Sequence, residues 1–193
     1  MHRLDFLTSY LKGKRILDIG NLANGGVVHQ MLIDRFTNSE FFGLDVVDQQ
    51  SCGLSFKNQS IGSIEQNSYA ADFFDCIYMG EVLEHTWKPK DMTDACYRIL
   101  KKGGILILDT PNVYSLSRMI RYMMTGKDII LGDPDHKIFY SRAMLEHLLA
   151  SSGFLIEQIT SEMNFDTRKL KFALPHIGAF RYMGECLLVL ARK

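Results

Sequence analysis

The chain has 193 residues, of which 47% are hydrophobic and 23% charged, with 22 Lys and Arg against 22 Asp and Glu. That composition excludes a disordered chain, a collagen and a small disulfide scaffold, and zero net charge gives no global field for nucleic acid. At roughly 150 residues per domain the length predicts one domain, over residues 1–193, with inserts near 112–137 and 164–183.

In chain order, the first strand is Arg15-Ile-Leu-Asp-Ile-Gly20. A glycine-bearing turn, Asn21 to Gly26, follows it. Val28, Met31, Leu32 and Phe36 then form a helical stripe, and a second strand runs Phe41 to Asp45. The strand Phe74 to Met79, counted as the fourth, precedes a helix with Met92, Ala95, Cys96, Ile99 and Leu100 on one side. Asp91 is its expected N-cap and Gly103 its expected stop. A strand over Ile105 to Leu108 leads into the first insert. Met144, Leu145, Leu148 and Leu149 form a third helix between Ser141 as cap and Gly153 as end. Strands at Phe154 to Ile156 and Cys186 to Leu190 flank the second insert. Runs apolar on both faces, alternating with helices, predict an α/β fold with a parallel sheet covered on both sides.

Cys52, Cys76, Cys96 and Cys186 show no zinc or redox spacing, and the last three sit in apolar patterns as buried thiols do. No apolar run reaches the roughly 18–20 residues that span a bilayer. The first residues lack the apolar core of a secretion signal. A cytoplasmic protein is expected, with membrane contact at most peripheral.

Chemistry gathers at three strand ends. Gly20 lets backbone approach a ligand at a helix start, but Leu22 stands where a pyrophosphate cradle wants its second glycine. That counts against a nicotinamide dehydrogenase. Asp45, 25 residues after Gly20, could accept bonds from ribose hydroxyls or serve as a turn residue. After the fourth strand come Gly80-Glu-Val-Leu-Glu-His85, then Arg98-Ile-Leu-Lys-Lys-Gly-Gly104 and Thr110-Pro-Asn112, then His136 and Phe139-Tyr-Ser141. With these motifs the chain, from about Lys14 to Gly153, resembles the class I S-adenosylmethionine-dependent methyltransferases that carry EVLEH after the fourth strand.

The resemblance implies a Rossmann-like, doubly wound, seven-stranded, mostly parallel sheet with helices on both faces. It implies S-adenosyl-L-methionine as cofactor, with Asp18, Gly20 and Asn21 in the first motif and Asp45 with Val46 at the ribose. Ser63 and Ile64 fall at the adenine, and Met79, Gly80 and Glu81 beside the methionine part. Ser63 departs from the Asp often found there, and the first motif is two residues longer than the usual compact form.

A hydroxyl acceptor must lose a proton, and His85 and His136 are the candidate bases; each could equally order a loop. Glu81 and Glu84 with His85 do not complete a ligand set, so no metal is expected. The basic inserts offer Arg118, Arg121, Arg168 and Lys171 to an anionic acceptor. Tyr140 is a further candidate substrate contact, and Tyr114, Met119, Met123 and Met124 could form an apolar wall. The expected function is methyl transfer to a small-molecule, sugar or lipid-linked acceptor, at oxygen. The alternative is a catalytically silent binding or scaffold protein on the same fold. An RNA or protein methyltransferase is disfavoured by the zero charge and by Gly80-Glu-Val-Leu83 in place of an Asn/Asp-Pro-Pro-Tyr/Phe sequence.

Overall fold

A computed structural model describes residues 2–127, 134–162, 164–167, 170–173 and 178–193. Helix α1 (Arg3–Tyr10) precedes β1 (Arg15–Ile19), α2 (Val27–Arg35), β2 (Glu40–Asp45), β3 (Gln59–Ile61) and β4 (Phe74–Gly80). Then come α3 (Pro89–Ile99), β5 (Leu100–Pro111), α4 (Leu116–Thr125), α5 (Arg142–Ser151) and β6 (Leu155–Ser161). A small hairpin of β7 (Asn164–Thr167) and β8 (Leu170–Ala173) leads to β9 (Cys186–Arg192).

The main sheet has seven strands in the order β3-β2-β1-β4-β5-β9-β6. β9 runs antiparallel to both its neighbours, and the remaining pairs are parallel. The carboxyl ends of β5 and β6 therefore lie on one edge with those of β1 and β4, and both inserts leave from that edge. Chain order reverses between β1 and β4, the switch point where open α/β sheets leave a crevice.

Alternation along the strands builds two cores. Leu17, Ile77 and Met79 face α3 and α5 through Cys96, Ile99, Leu145 and Leu149. Ile16, Cys76 and Ile107 face the other way, against Phe6 and Leu7 of α1 and Leu32 of α2. Cys76, Cys96 and Cys186 are buried free thiols, as their apolar settings predict, and Cys52 is exposed.

Ser141 caps α5, its hydroxyl accepting from Met144 N at 3.3 Å. Two expected signals act differently. α3 begins at Pro89, whose fixed φ and missing N–H suit a first helical position, so Asp91 lies inside the first turn. It ends at Ile99 and the chain enters β5 directly, leaving Gly103 within that strand at φ +75°.

Candidate active site

A crevice of about 310 Å³ opens at the switch point. Asp18, Gly20 and Asn21 line it from the end of β1, and Gly80 and Glu81 from the end of β4. Arg3, His85 and His136 complete its walls. A larger hollow, about 740 Å³, opens beside α2, lined by Gly25, Gly26 and Phe56 among others. It holds no histidine, and its carboxylate Asp34 is exposed and bonded to Gln30 at 2.8 Å. The smaller crevice is the one that collects the reactive groups.

The first turn needs glycine at residue 20. Its φ is +74°, and a Cβ there would stand 2.5 Å from Val82 Cγ2. Beneath it Asp18 is buried, its Oδ2 lying 2.8 Å from Nδ1 of buried His29. Burial raises the Asp18 pKa, and the His29 contact opposes that rise. His29 is wedged by Phe56, ring to ring at 4.7 Å. Asn21 and Gln59 exchange two amide hydrogen bonds, at 2.8 and 3.0 Å, tying the turn to β3. Gly25 and Gly26 line the larger hollow and not the crevice.

Asp45, at the tip of β2, accepts from Leu22 N and from Val47 N, each at 3.0 Å. Val46 beside it is 72% exposed. Ser63 opens the turn over 64–66, and its hydroxyl does not cap it. The Ile64 and Met79 side chains are sealed in the core, and neither residue lines the crevice.

Arg3 escaped sequence reasoning. It reaches from α1 to Glu81 at 2.9 Å and to Asp109 at 3.3 Å. Burial pushes the Asp109 carboxyl up to about 7 against the pull of Arg3, and Tyr78 donates to it at 3.1 Å. Glu81 itself has φ +52°, a costly conformation for a non-glycine residue. A helical signal for α1 exists in Leu4, Leu7 and Leu11, at steps of three and four. It was the way to find Arg3.

Opposite stand Glu84, His85 and His136. The His85 and His136 rings lie 4.8 Å apart, centroid to centroid. His85 Nδ1 is 3.2 Å from the Asp135 carbonyl, which can only accept, so in the neutral ring Nδ1 carries the proton and Nε2 the lone pair. Glu84 is fully buried, with Oε2 accepting from Thr110 Oγ1 at 2.9 Å and Oε1 without a hydrogen-bond partner. Burial lifts its pKa to about 7. Its carbonyl accepts from Lys137 N at 2.7 Å and Ile138 N at 3.2 Å, which latches the His136 segment against the site. One ligand atom from each of Glu84, His85 and His136 lies within 4.8 Å of the others, so these three could hold a metal ion. Glu81 is turned to Arg3 instead.

On the acceptor side the expectations need two corrections. Tyr140 is not on a wall of the site: it is buried in the core, its hydroxyl donating to the Leu83 carbonyl at 3.3 Å. Arg118 is turned to Glu185, 3.7 Å away, and donates to the Asn112 carbonyl at 3.2 Å. Arg121 is exposed. Arg168, Lys169 and the side chain of Lys171 lie outside the described residues.

Comparison with known proteins fits this geometry. Residues 2–159 match the model of a family described as methyltransferase domain. The chain is 27% identical to a ubiquinone biosynthesis O-methyltransferase of Aeromonas salmonicida, over 95% of this chain and 81% of that one. It is 26% identical to the protein of that name from Psychrobacter arcticus, over 77% of this chain. It spans only 62% of that relative's length. A crystal structure of a SAM-dependent methyltransferase from Archaeoglobus fulgidus has the same fold, with TM-score 0.74 at 19% identity, covering 99% of this chain and 91% of that one.

Proposed function

The chain belongs to the methyltransferase-domain family, and on that footing we propose that it transfers a methyl group from S-adenosyl-L-methionine to an oxygen of a small-molecule, sugar or lipid-linked acceptor. The observation that carries the reading is the crevice at the switch point, where a glycine turn faces a histidine pair. The similarity to proteins named O-methyltransferases supports oxygen as the target.

The residues fit the cofactor. Gly20 presents bare backbone at the crevice, its N–H held by the Leu44 carbonyl at 2.8 Å. Asp45 keeps lone pairs beyond the two it gives to Leu22 and Val47, and these would take the ribose hydroxyls, with exposed Val46 alongside. Ser63 and the Ile64 backbone would meet the adenine. Asn21, Gly80, Glu81 and the Met79 backbone would hold the methionine part. When bound, the cofactor supplies a methyl group on a sulfonium, activated by a neutral thioether leaving group.

The remaining work belongs to the chain. Holding an acceptor in line and excluding water contributes on the order of 7–11 kcal/mol. His85 Nε2, its Nδ1 proton fixed on the Asp135 carbonyl, takes the proton of an acceptor hydroxyl. Such a base contributes about 10²–10⁴-fold. His136, packed on the same ring, is the second candidate, and Glu84 locks the backbone between them. With Arg118 engaged by Glu185, Arg121 is the cation offered to an anionic acceptor group.

Calorimetry with S-adenosylhomocysteine tests the cofactor, and transfer of labelled methyl to a panel of phenols and sugars tests the chemistry. Micromolar binding and a labelled ether product are expected. Absence of binding would sink the proposal in favour of a scaffold role.

A further inference from the structure

Helix α4 meets the body only through its first turn, and the rest of it stands exposed. On a helical wheel Leu116, Met119, Ile120, Met123 and Met124 share one arc, and Ser117, Arg118, Arg121 and Thr125 occupy the opposite one. A surface helix ordinarily turns the apolar arc to the core. Here Leu116, Ser117 and Arg118 of the first turn are half-buried, and every residue from Met119 to Thr125 is exposed on both arcs. Ser117 Oγ donates to a Glu185 carboxylate oxygen, and Arg118 pairs with Glu185 and bonds the Asn112 carbonyl. Leu116 N donates to the Met183 carbonyl at 2.9 Å, which fixes the start of the helix. The apolar arc is left in solvent: Met119 is 39% exposed, Ile120 42%, Met123 74% and Met124 80%. Tyr122 on the same helix, Tyr114 before it and Phe180 in the turn preceding Met183 are exposed as well. No residue of α4 is buried.

Charge decides what covers this face. From Asn112 to Lys127 the chain carries Arg118, Arg121 and Lys127 and no Asp or Glu. A second copy docked about a twofold axis would set this basic stretch against itself, which is unfavourable. An anionic bilayer answers both features. Methionine, isoleucine and tyrosine side chains enter the boundary between headgroups and acyl chains, while exposed Arg121 and Lys127 meet lipid phosphates. At ten residues α4 is about 15 Å long. No helix among the described residues is long and apolar enough to cross a membrane.

We infer that α4 is an in-plane anchor that docks the protein on an anionic lipid surface. It follows β5 from the carboxyl edge of the sheet, so docking brings the rim of the crevice to the lipid. The inference rests on the mounting and charge of α4 alone and stands whether or not the chain transfers methyl groups.

The test is flotation of the full chain with vesicles of phosphatidylcholine, or of phosphatidylcholine mixed with phosphatidylglycerol. Binding to the mixed vesicles, weakening as salt rises, is expected, with none to phosphatidylcholine alone. The Ile120→Glu/Met123→Glu chain, altered only at exposed positions, should bind at least about tenfold less and keep the parent melting temperature. Met124→Glu repeats the test if the double variant melts early. A parent that stays unbound at low salt, or a double variant that floats equally well, overturns the inference. So does a dimer in sedimentation that the double variant abolishes while vesicles go unbound, which would assign the face to a second copy.

Discussion

One methyl group at Gly43 tests how the first turn is held. The Asn21–Gln59 amide pair crosses β2 directly over Gly43, where there is no side chain to obstruct it. A Cβ at that position would overlap Gln59 Oε1 and Asn21 Nδ2 and stand 2.8 Å from Asn21 Cγ. The Gly43→Ala chain must therefore separate the pair. Two neutral hydrogen bonds contribute about 0.5–1.5 kcal/mol each, and a buried amide left without a partner costs about 1–3 kcal/mol more. Asn21 is 4% exposed, so the larger cost applies to it. The total loss is about 2–6 kcal/mol. In a chain of this length each kcal/mol lowers the melting temperature by about 2–4 °C, so a fall of about 4–24 °C is expected. Asn21 also lines the crevice, so S-adenosylhomocysteine affinity should fall with stability. Urea unfolding of Gly43→Ala, Gln59→Ala and the double variant closes a cycle. If the pair is the obstacle, the double variant loses less than the two single losses combined, by at least about 1 kcal/mol. A Gly43→Ala chain that melts with the parent, or losses that simply add, would refute the argument.

Three more outcomes follow from the site. Asp45→Ala removes the acceptor of Leu22 N and Val47 N and the proposed ribose ligand; with about 1.5–3 kcal/mol per bond to a charged acceptor, calorimetry should read S-adenosylhomocysteine binding weakened about 10²–10⁴-fold. A change under about threefold, far below one such bond, would remove Asp45 from the cofactor site. His85→Ala should lower the rate of methyl transfer about 10²–10⁴-fold while cofactor affinity stays put, and added imidazole should restore part of it; an unchanged rate ends its role as base. Asp109 has its folded pKa raised to about 7 by burial, from an ordinary 3.8, so the folded state holds the proton longer than the unfolded state does. Its contribution is therefore full at low pH and is lost as pH rises between those two values. Asp109→Asn should flatten that decline, and urea unfolding near pH 4 and near pH 7 should show the gap between parent and variant change by a few kcal/mol; parallel pH profiles would contradict the assignment.

Much of the fold is legible because the strands of a covered parallel sheet are apolar on both faces. Ile16 and Leu17, neighbours in sequence, serve opposite cores. Caps were legible where the chemistry is local, as at Ser141. β3 escaped because Gln59-Ser-Ile61 is short and two-thirds polar; its pairing to β2, not its composition, makes it a strand. His29 was within reach, since it stands three residues before Leu32 and so shares the buried stripe, but a histidine on an apolar stripe does not announce a carboxylate partner. His136 and Glu84 are 52 residues apart, and the latch between them is made of backbone, which sequence composition cannot report.

Helix α4 marks a different kind of boundary. Its period of three and four states which side chains share a face, Met119 and Met123 among them. Period carries no sign, however: it does not say which face turns inward. Burying a methionine or isoleucine side chain contributes about 1.5–3 kcal/mol, so apolar surface alone would turn α4 over. What opposes it is a set of polar ties at its first turn, Ser117 and Arg118 to Glu185 and Leu116 N to the Met183 carbonyl. Exposed or half-buried ion pairs contribute about 1 kcal/mol at most, so these ties do not match four apolar side chains left in water. The balance closes when something outside the chain covers them. That is the physical reason to look for a docked surface at α4 rather than to treat its exposure as incidental.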